Sequence, residues 1–161
     1  CNGFQALIKL GLVPYGDIVP MTAECPTLTF NTIGRHQSRL VRTRVASNLS
    51  PWLAKTEVGD MHTIAISHGE GRFVASDDML AQLKANGQIA TQYVDEAGVP
   101  GMDLDVNPNG SLLAIEGITS PDGRVFGKMG HSERYSNGTF KNVPGEKDQP
   151  LFAAGVEYFA A

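Results

Sequence analysis

The sequence predicts one α/β domain, rich in strands and poor in helices. Three observations carry this reading. Short runs of β-branched and aromatic residues recur between Gly, Pro and Asn clusters, as in "PTLTFNTIG", "MHTIAIS" and "QIATQYVD". Only two segments, "NGFQALIKL" and "DDMLAQLKA", join helical spacing to helix-end signals. A length of 161 residues is enough for one domain with a substantial core and too little for two ordinary ones.

Element by element, Phe4, Leu7, Ile8 and Leu10 follow helical spacing, Lys9 falls in the last turn, and Gly11 can take a left-handed cap with Pro14 beyond. Cys1 therefore stands at the start of a short helix. "PTLTFNTIG" ends in Gly34 and reads as a strand. In "SRLVRTRVAS", Val41, Thr43 and Val45 alternate with Arg42 and Arg44, which predicts a strand with one basic face. "SNLSPWLAK" reads as a turn or short helix, and "MHTIAIS" as a buried strand entering the glycine-rich "HGEGRF". "SDDMLAQLKANG" has a Ser or Asp cap, acids in its first turn and a closing Gly87, and so predicts a helix. "QIATQYVD" follows as a strand, then a long loop through "VPGMDLDVNPNGS". "LLAIEGITS" and "RVFGKMG" are strands joined by the turn "PDGR". Near the end only a turn of helix in "LFAAGVEYF" is expected. If the fold is doubly wound, several strand-and-helix units belong before Cys1.

Composition narrows the function. A net charge of -4 would repel nucleic acid and anionic lipid, so neither is expected as a partner. No run approaches the roughly 20 apolar residues of a membrane span, and no basic-then-apolar leader opens the chain, so a membrane partner and a signal peptide are not expected either. Two cysteines, Cys1 and Cys25, make no disulfide framework, and a reducing cytosol is the simplest setting. His36, His62, His68 and His131 show no metal-ligand spacing, so no metal site is expected. No phosphate-cradling GxxxxGK[ST] occurs.

Two constellations can carry chemistry. A thiol at a helix start sits where backbone N–H groups and the helix dipole favour the thiolate, as a nucleophile needs. The Asn2 N–H is placed to face an oxyanion, and Gly3 lets the backbone pass close to a group over Cys1. Taken alone, Cys1 reads as readily as a boundary residue. In "MGHSERY", His131 lies in an irregular loop after a strand, and Glu133 can accept its Nδ1 proton and orient the ring. Thiol, base and orienting carboxylate are the parts of acyl transfer. An isolated His-x-Glu is more often an ordinary surface pair.

The segments "CNGFQ", "LTFNTIGRHQSRLVRTR", "SHGEGRF" and "NPNGSLLAIEGITSPDGRVFGKMGHSER", in this order, resemble the class I glutamine amidotransferase domain of phosphoribosylformylglycinamidine synthase, most nearly the large single-chain form. The resemblance covers nearly the whole chain. It implies a flavodoxin-like class I amidotransferase fold of which residues 1–161 are the C-terminal portion, beginning at the nucleophile elbow, with the N-terminal part missing and the sheet incomplete. It implies Cys1 as nucleophile on L-glutamine, His131 as base, Glu133 as its orienter, the Asn2 N–H as oxyanion donor, and Gln5, His68, Gly69 and Glu70 as glutamine-pocket residues. The ammonia released would serve conversion of formylglycinamide ribonucleotide to its amidine in purine biosynthesis. No cofactor is implied in this chain; ATP and magnesium belong to the synthetase part, expected on the same polypeptide and in the cytoplasm.

Other readings stay open. A catalytically silent folding or docking module would carry the same residues without the missing front part, and self-association through an exposed sheet edge would then be available. An N-terminal-nucleophile hydrolase would use the Cys1 amine as its base, but leaves "GHSER" and "SHGEGR" without a purpose. Arg35, Arg39, Arg42 and Arg44 read as a solvated strand face or a docking surface for the synthetase, Arg72 as a surface charge, and Cys25 as a thiol with no role.

Overall fold

The computed structural model describes residues 1–136 and 138–160; Asn137 and Ala161, the last residue of the expected domain, lie outside the described residues. Helix α1 spans Asn2–Leu10 with Cys1 as its N-cap. Phe4 and Ile8, one helical turn apart, turn into the core, and Gly11 closes the helix with φ 85, its N–H donating to the Ile8 carbonyl. A Cβ at Gly11 would collide with Val19, so the left-handed glycine also admits the returning chain. A one-turn segment, α2 (Leu12–Tyr15), follows.

Five strands make the main sheet: β2 (Gln37–Val45), β3 (Met61–His68), β5 (Ile89–Tyr93), β6 (Ile115–Thr119) and β7 (Phe126–Lys128), in spatial order β3-β2-β5-β6-β7. β1 (Thr27–Thr29) pairs with β4 (Arg72–Val74) in a separate two-stranded sheet. The α/β class holds. Every described strand pair is nevertheless antiparallel; for β6 and β7 the short "PDGR" turn allows no other pairing.

The sheet curls. His131, just past β7, donates its N–H to the Ala65 carbonyl of β3 at 2.8 Å, and Thr63 of β3 donates to the Glu146 carbonyl at 2.6 Å. The chain's own later segments therefore occupy part of the outer edge of β3. At the other end, α1 lies over β7 so closely that a Cβ at Gly127 would enter the Phe4 ring.

Helix α3 (Asp77–Ala85) forms as the sequence predicts: Ser76 Oγ accepts the Met79 N–H, Asp77 and Asp78 face the positive end of the dipole, and Leu80 and Leu83 are buried. Its apolar face joins α1, β1, β4, β6 and Met129 in the largest core cluster.

The tail departs from expectation. In place of one turn there is a nine-residue helix, α4 (Leu151–Phe159), which buries Leu151, Ala154 and Gly155 against the 3-10 turn Pro51–Leu53. Its start has no side-chain cap and its interior holds a glycine, so local propensity understates it and packing supplies the stability. Gly155 is required by contact: a Cβ there would enter the Trp52 ring, whose Nε1 donates to the Arg124 carbonyl at 2.8 Å. Gly155→Ala should therefore lower stability by about 1–3 kcal/mol through overpacking, despite the better helix propensity of Ala. Thermal unfolding, together with the emission of Trp52, the chain's one tryptophan, checks this; an unchanged or raised midpoint would refute the packing argument.

Candidate active site

Cys1 is half-buried at the positive end of α1, where no acidic residue occupies the first turn to offset the dipole. The Cys1 carbonyl accepts the Gln5 N–H at 3.1 Å, the first bond of the helix, so the N–H groups of Asn2 and Gly3 have no partner within it. Apart from the residues flanking Gly3 and the backbone of α1 itself, no protein atom lies within 4 Å of where a Gly3 Cβ would stand. That space belongs to a cavity of about 660 Å³ lined by Cys1, Asn2, Gly3, His131 and Glu133, with Trp52, Phe126 and Phe152 among its apolar walls. Residues from the two ends of the chain thus share one concavity.

His131 is held by its backbone bond to β3, and its Nδ1 is 2.6 Å from Glu133 Oε1. The ring is mostly buried, and its Nε2 has no hydrogen-bond partner. Partial burial raises the Glu133 pKa, but the hydrogen bond from His131 and the cations nearby outweigh it, so the carboxyl lies below its usual range. The Glu133 carboxylate on Nδ1 orients the ring and leaves the buried Nε2 without a partner.

The other residues singled out in the sequence gather one layer away. Gln5 Nε2 donates to the Glu70 carbonyl at 2.8 Å, which ties α1 to the loop after β3. His68, Gly69 and Glu70 do not line the Cys1 cavity. His68 is buried, its Nδ1 sits 3.0 Å from Asn31 Oδ1, and Asn31 Nδ2 donates to the His68 carbonyl at 2.8 Å. A Cβ at Gly71 would strike the His68 ring, so the second glycine of "HGEG" is a close approach as well as part of a turn. Burial lowers the His68 pKa to about 4, and the ring is neutral near pH 7. Of the basic strand, Arg39 donates to the Asp105 carbonyl, Arg42 pairs with Glu96, and Arg44 donates to Gln92. Among the described residues no three His, Cys, Asp or Glu side chains gather as a metal site, and no helix is long and apolar enough to cross a membrane.

One group was missed. Glu116 is fully buried in β6; its Oε1 accepts the Gly130 N–H at 2.5 Å and its Oε2 the Thr91 hydroxyl at 2.5 Å. Lys128 Nζ lies 3.8 Å from Glu116 and donates to Ser132 Oγ and Gln149 Oε1. The available signal was a carboxylate inside the apolar run "LLAIEGIT", since an acid there must be paired or exposed.

Residues 1–159 match the profile of the CobB/CobQ-like glutamine amidotransferase domain. The chain is 39% identical over 136 residues to the phosphoribosylformylglycinamidine synthase subunit PurQ of Aquifex aeolicus (strain VF5), covering 84% of this chain and 54% of that protein. It is 37% identical over 145 residues to the same subunit of Synechocystis sp., covering 90% of this chain and 59% of that protein. A chain of the PurLQS structure from Thermotoga maritima superposes with a TM-score of 0.69 at 30% identity, covering 98% of this chain and 59% of that one. The chain therefore spans a little over half the length of these relatives.

The neutral His68 sets a pH dependence. Its folded pKa of about 4 lies below the unfolded value of 6.5, so the unfolded state binds the extra proton and stability falls as pH drops through that window. Between pH 7 and pH 5 the loss should be about 2 kcal/mol, and it should shrink in His68→Gln. Urea unfolding at the two pH values measures it, and an equal slope in the variant would assign the effect elsewhere.

Proposed function

The chain belongs to the CobB/CobQ-like glutamine amidotransferase domain family, and on that premise we propose that it carries the thiol, base and orienting carboxylate of a glutaminase. In this reading the Cys1 thiolate attacks the side-chain amide carbon of L-glutamine, and the oxyanion that forms faces the Asn2 N–H. His131, protonated at Nε2 and held through Nδ1 by Glu133, gives its proton to the departing nitrogen, so ammonia leaves and a γ-glutamyl thioester remains. A water that loses its proton to Nε2 then attacks the thioester, releasing glutamate and the free thiol. Gln5, through its bond to the Glu70 carbonyl, holds the His68-Gly69-Glu70 loop beside the glutamine pocket. The observation that carries this reading is that Cys1, His131 and Glu133, distant in sequence, line one cavity.

The relatives are named as subunits of phosphoribosylformylglycinamidine synthase, which supports use of the ammonia in converting formylglycinamide ribonucleotide to its amidine. In this reading ATP and magnesium act on the synthetase part. The ordered motifs resemble the large single-chain form most nearly, and in this reading a synthetase lies on the same polypeptide, in the cytoplasm; the relatives are named instead as separate subunits. An immunoblot against "EKDQPLF" tests that arrangement: one long polypeptide supports it and a short one refutes it. The alternative is a silent folding or docking module that carries the same residues.

Labelling with the glutamine-analogue electrophile 6-diazo-5-oxo-L-norleucine, read by intact mass and peptide mapping, separates the two. Stoichiometric modification at Cys1, blocked by excess glutamine, is expected; a folded chain that stays unlabelled would support the silent module. In the intact enzyme, Cys1→Ala should reduce glutamine-dependent synthesis by at least about 1,000-fold and leave ammonia-dependent synthesis near the wild-type rate. Loss of both activities would contradict the nucleophile assignment.

A further inference from the structure

The His131 ring stands on an irregular stretch of backbone, φ -106 and ψ 83, tied to β3 through its own N–H on the Ala65 carbonyl. Its neighbours are anchored as well. Gly130 donates its N–H to Glu116 Oε1 at 2.5 Å, and a Cβ at Gly130 would stand 2.9 Å from that oxygen and 2.8 Å from Ile64 Cγ2. Ser132 Oγ accepts from Lys128 Nζ at 2.9 Å and donates to Gln149 Oε1 at 2.7 Å. Lys128 Nζ also reaches Gln149 at 2.8 Å, and Gln149 leads into α4. The residues before and after His131 are thus tied to one network whose centre is a carboxylate with no exposure and an ammonium with 10%.

A buried ion pair is a poor means of stabilising a fold, since apolar residues of the same volume often serve as well or better. What a satisfied polar network supplies is one fixed arrangement of the groups it holds. A base must stand within hydrogen-bond reach of the atom it protonates, and a displacement near 1 Å can cost about 100-fold in rate.

We propose that Lys128 and Glu116 are positioning residues of the Cys1 site, fixing Gly130 and Ser132 and thereby the place of the His131 ring. The inference rests on the reading of His131 as the base. Lys128 also lines the Cys1 cavity, but its Nζ is engaged by Ser132 and Gln149, and both residues act on His131 through the backbone that carries it.

The test is glutamine hydrolysis by the intact enzyme with Lys128→Met, Ser132→Ala and His131→Ala, each turnover normalised to the fraction of Cys1 that 6-diazo-5-oxo-L-norleucine labels. Normalisation removes variants that merely fold less well. Lys128→Met should lower kcat by about 10- to 100-fold and leave KM for glutamine within about twofold, as expected for a misplaced proton donor rather than a lost substrate contact. Ser132→Ala removes one arm of the network at a partly exposed site and should lower kcat by about 3- to 10-fold in the same pattern, which keeps the test alive if Lys128→Met does not fold. Wild-type kcat in Ser132→Ala and in any folded Lys128→Met would overturn the proposal, as would a loss seen in KM alone. His131→Ala separates the two levels: if it keeps wild-type turnover, the base assignment fails; if it is inactive while the other two are unimpaired, only the positioning role fails.

Discussion

The hydrogen bond from the His131 N–H to the Ala65 carbonyl, 2.8 Å long, joins the segment after the last strand of the sheet to its first edge. The rest of the site depends on it. Without this closure, β3 and the end of β7 would stand at opposite margins of a five-stranded sheet, and the His131 loop would lose its tie to β3. With it, the sheet curls, α1 lies across β7 with Phe4 against Gly127, and the Cys1 end of that helix opens toward the His131 loop. The curl also gives Thr63 and Ala65 partners within the chain, which leaves less of β3 available for pairing with another molecule.

Two electrostatic arrangements surround this closure and act in opposite ways. Near the cavity, charge is encouraged: the helix start favours a thiolate, and Glu133 is held as a carboxylate by its bond to His131. One layer away charge is suppressed: His68 is buried beneath Gly71 as a neutral ring, with Asn31 matching its Nδ1 and its carbonyl. Lys128 stands between the two regimes. Burial lowers its pKa against the opposing pull of the Glu116 carboxylate, and hydrogen bonds to Ser132 and Gln149 replace two of those that solvent would otherwise supply. The contrast separates the histidine that faces the cavity from the one that shapes the loop behind it.

Much of the local architecture was legible because it is written in short-range chemistry. The Ser76 cap, the acids of its first turn, the left-handed Gly11 and the alternation around Arg42 and Arg44 each act within a few residues, and α1, α3, β2 and the β6–β7 turn follow. α4 was underestimated because its stability comes from Gly155 and Leu151 meeting the Trp52 turn, a contact that no local pattern encodes. β4 was overlooked for the same reason: three residues become a strand only because β1 lies beside them.

The residue types of the thiol site, Cys1 with Asn2 and Gly3 at a helix start and His131 two residues from Glu133, are properties of the chain itself. Chemistry and neighbouring spacing suffice to read them. Which histidine meets the cavity, which carboxylate lies buried under it, and how far Gln5, His68 and Glu70 stand from the thiol were settled by the curl of the sheet. The physical reason is that a hydrogen bond such as Ala65 to His131, or Glu116 to Gly130, joins segments with no shared pattern. Its partners become evident only when burial forces every polar group to find one.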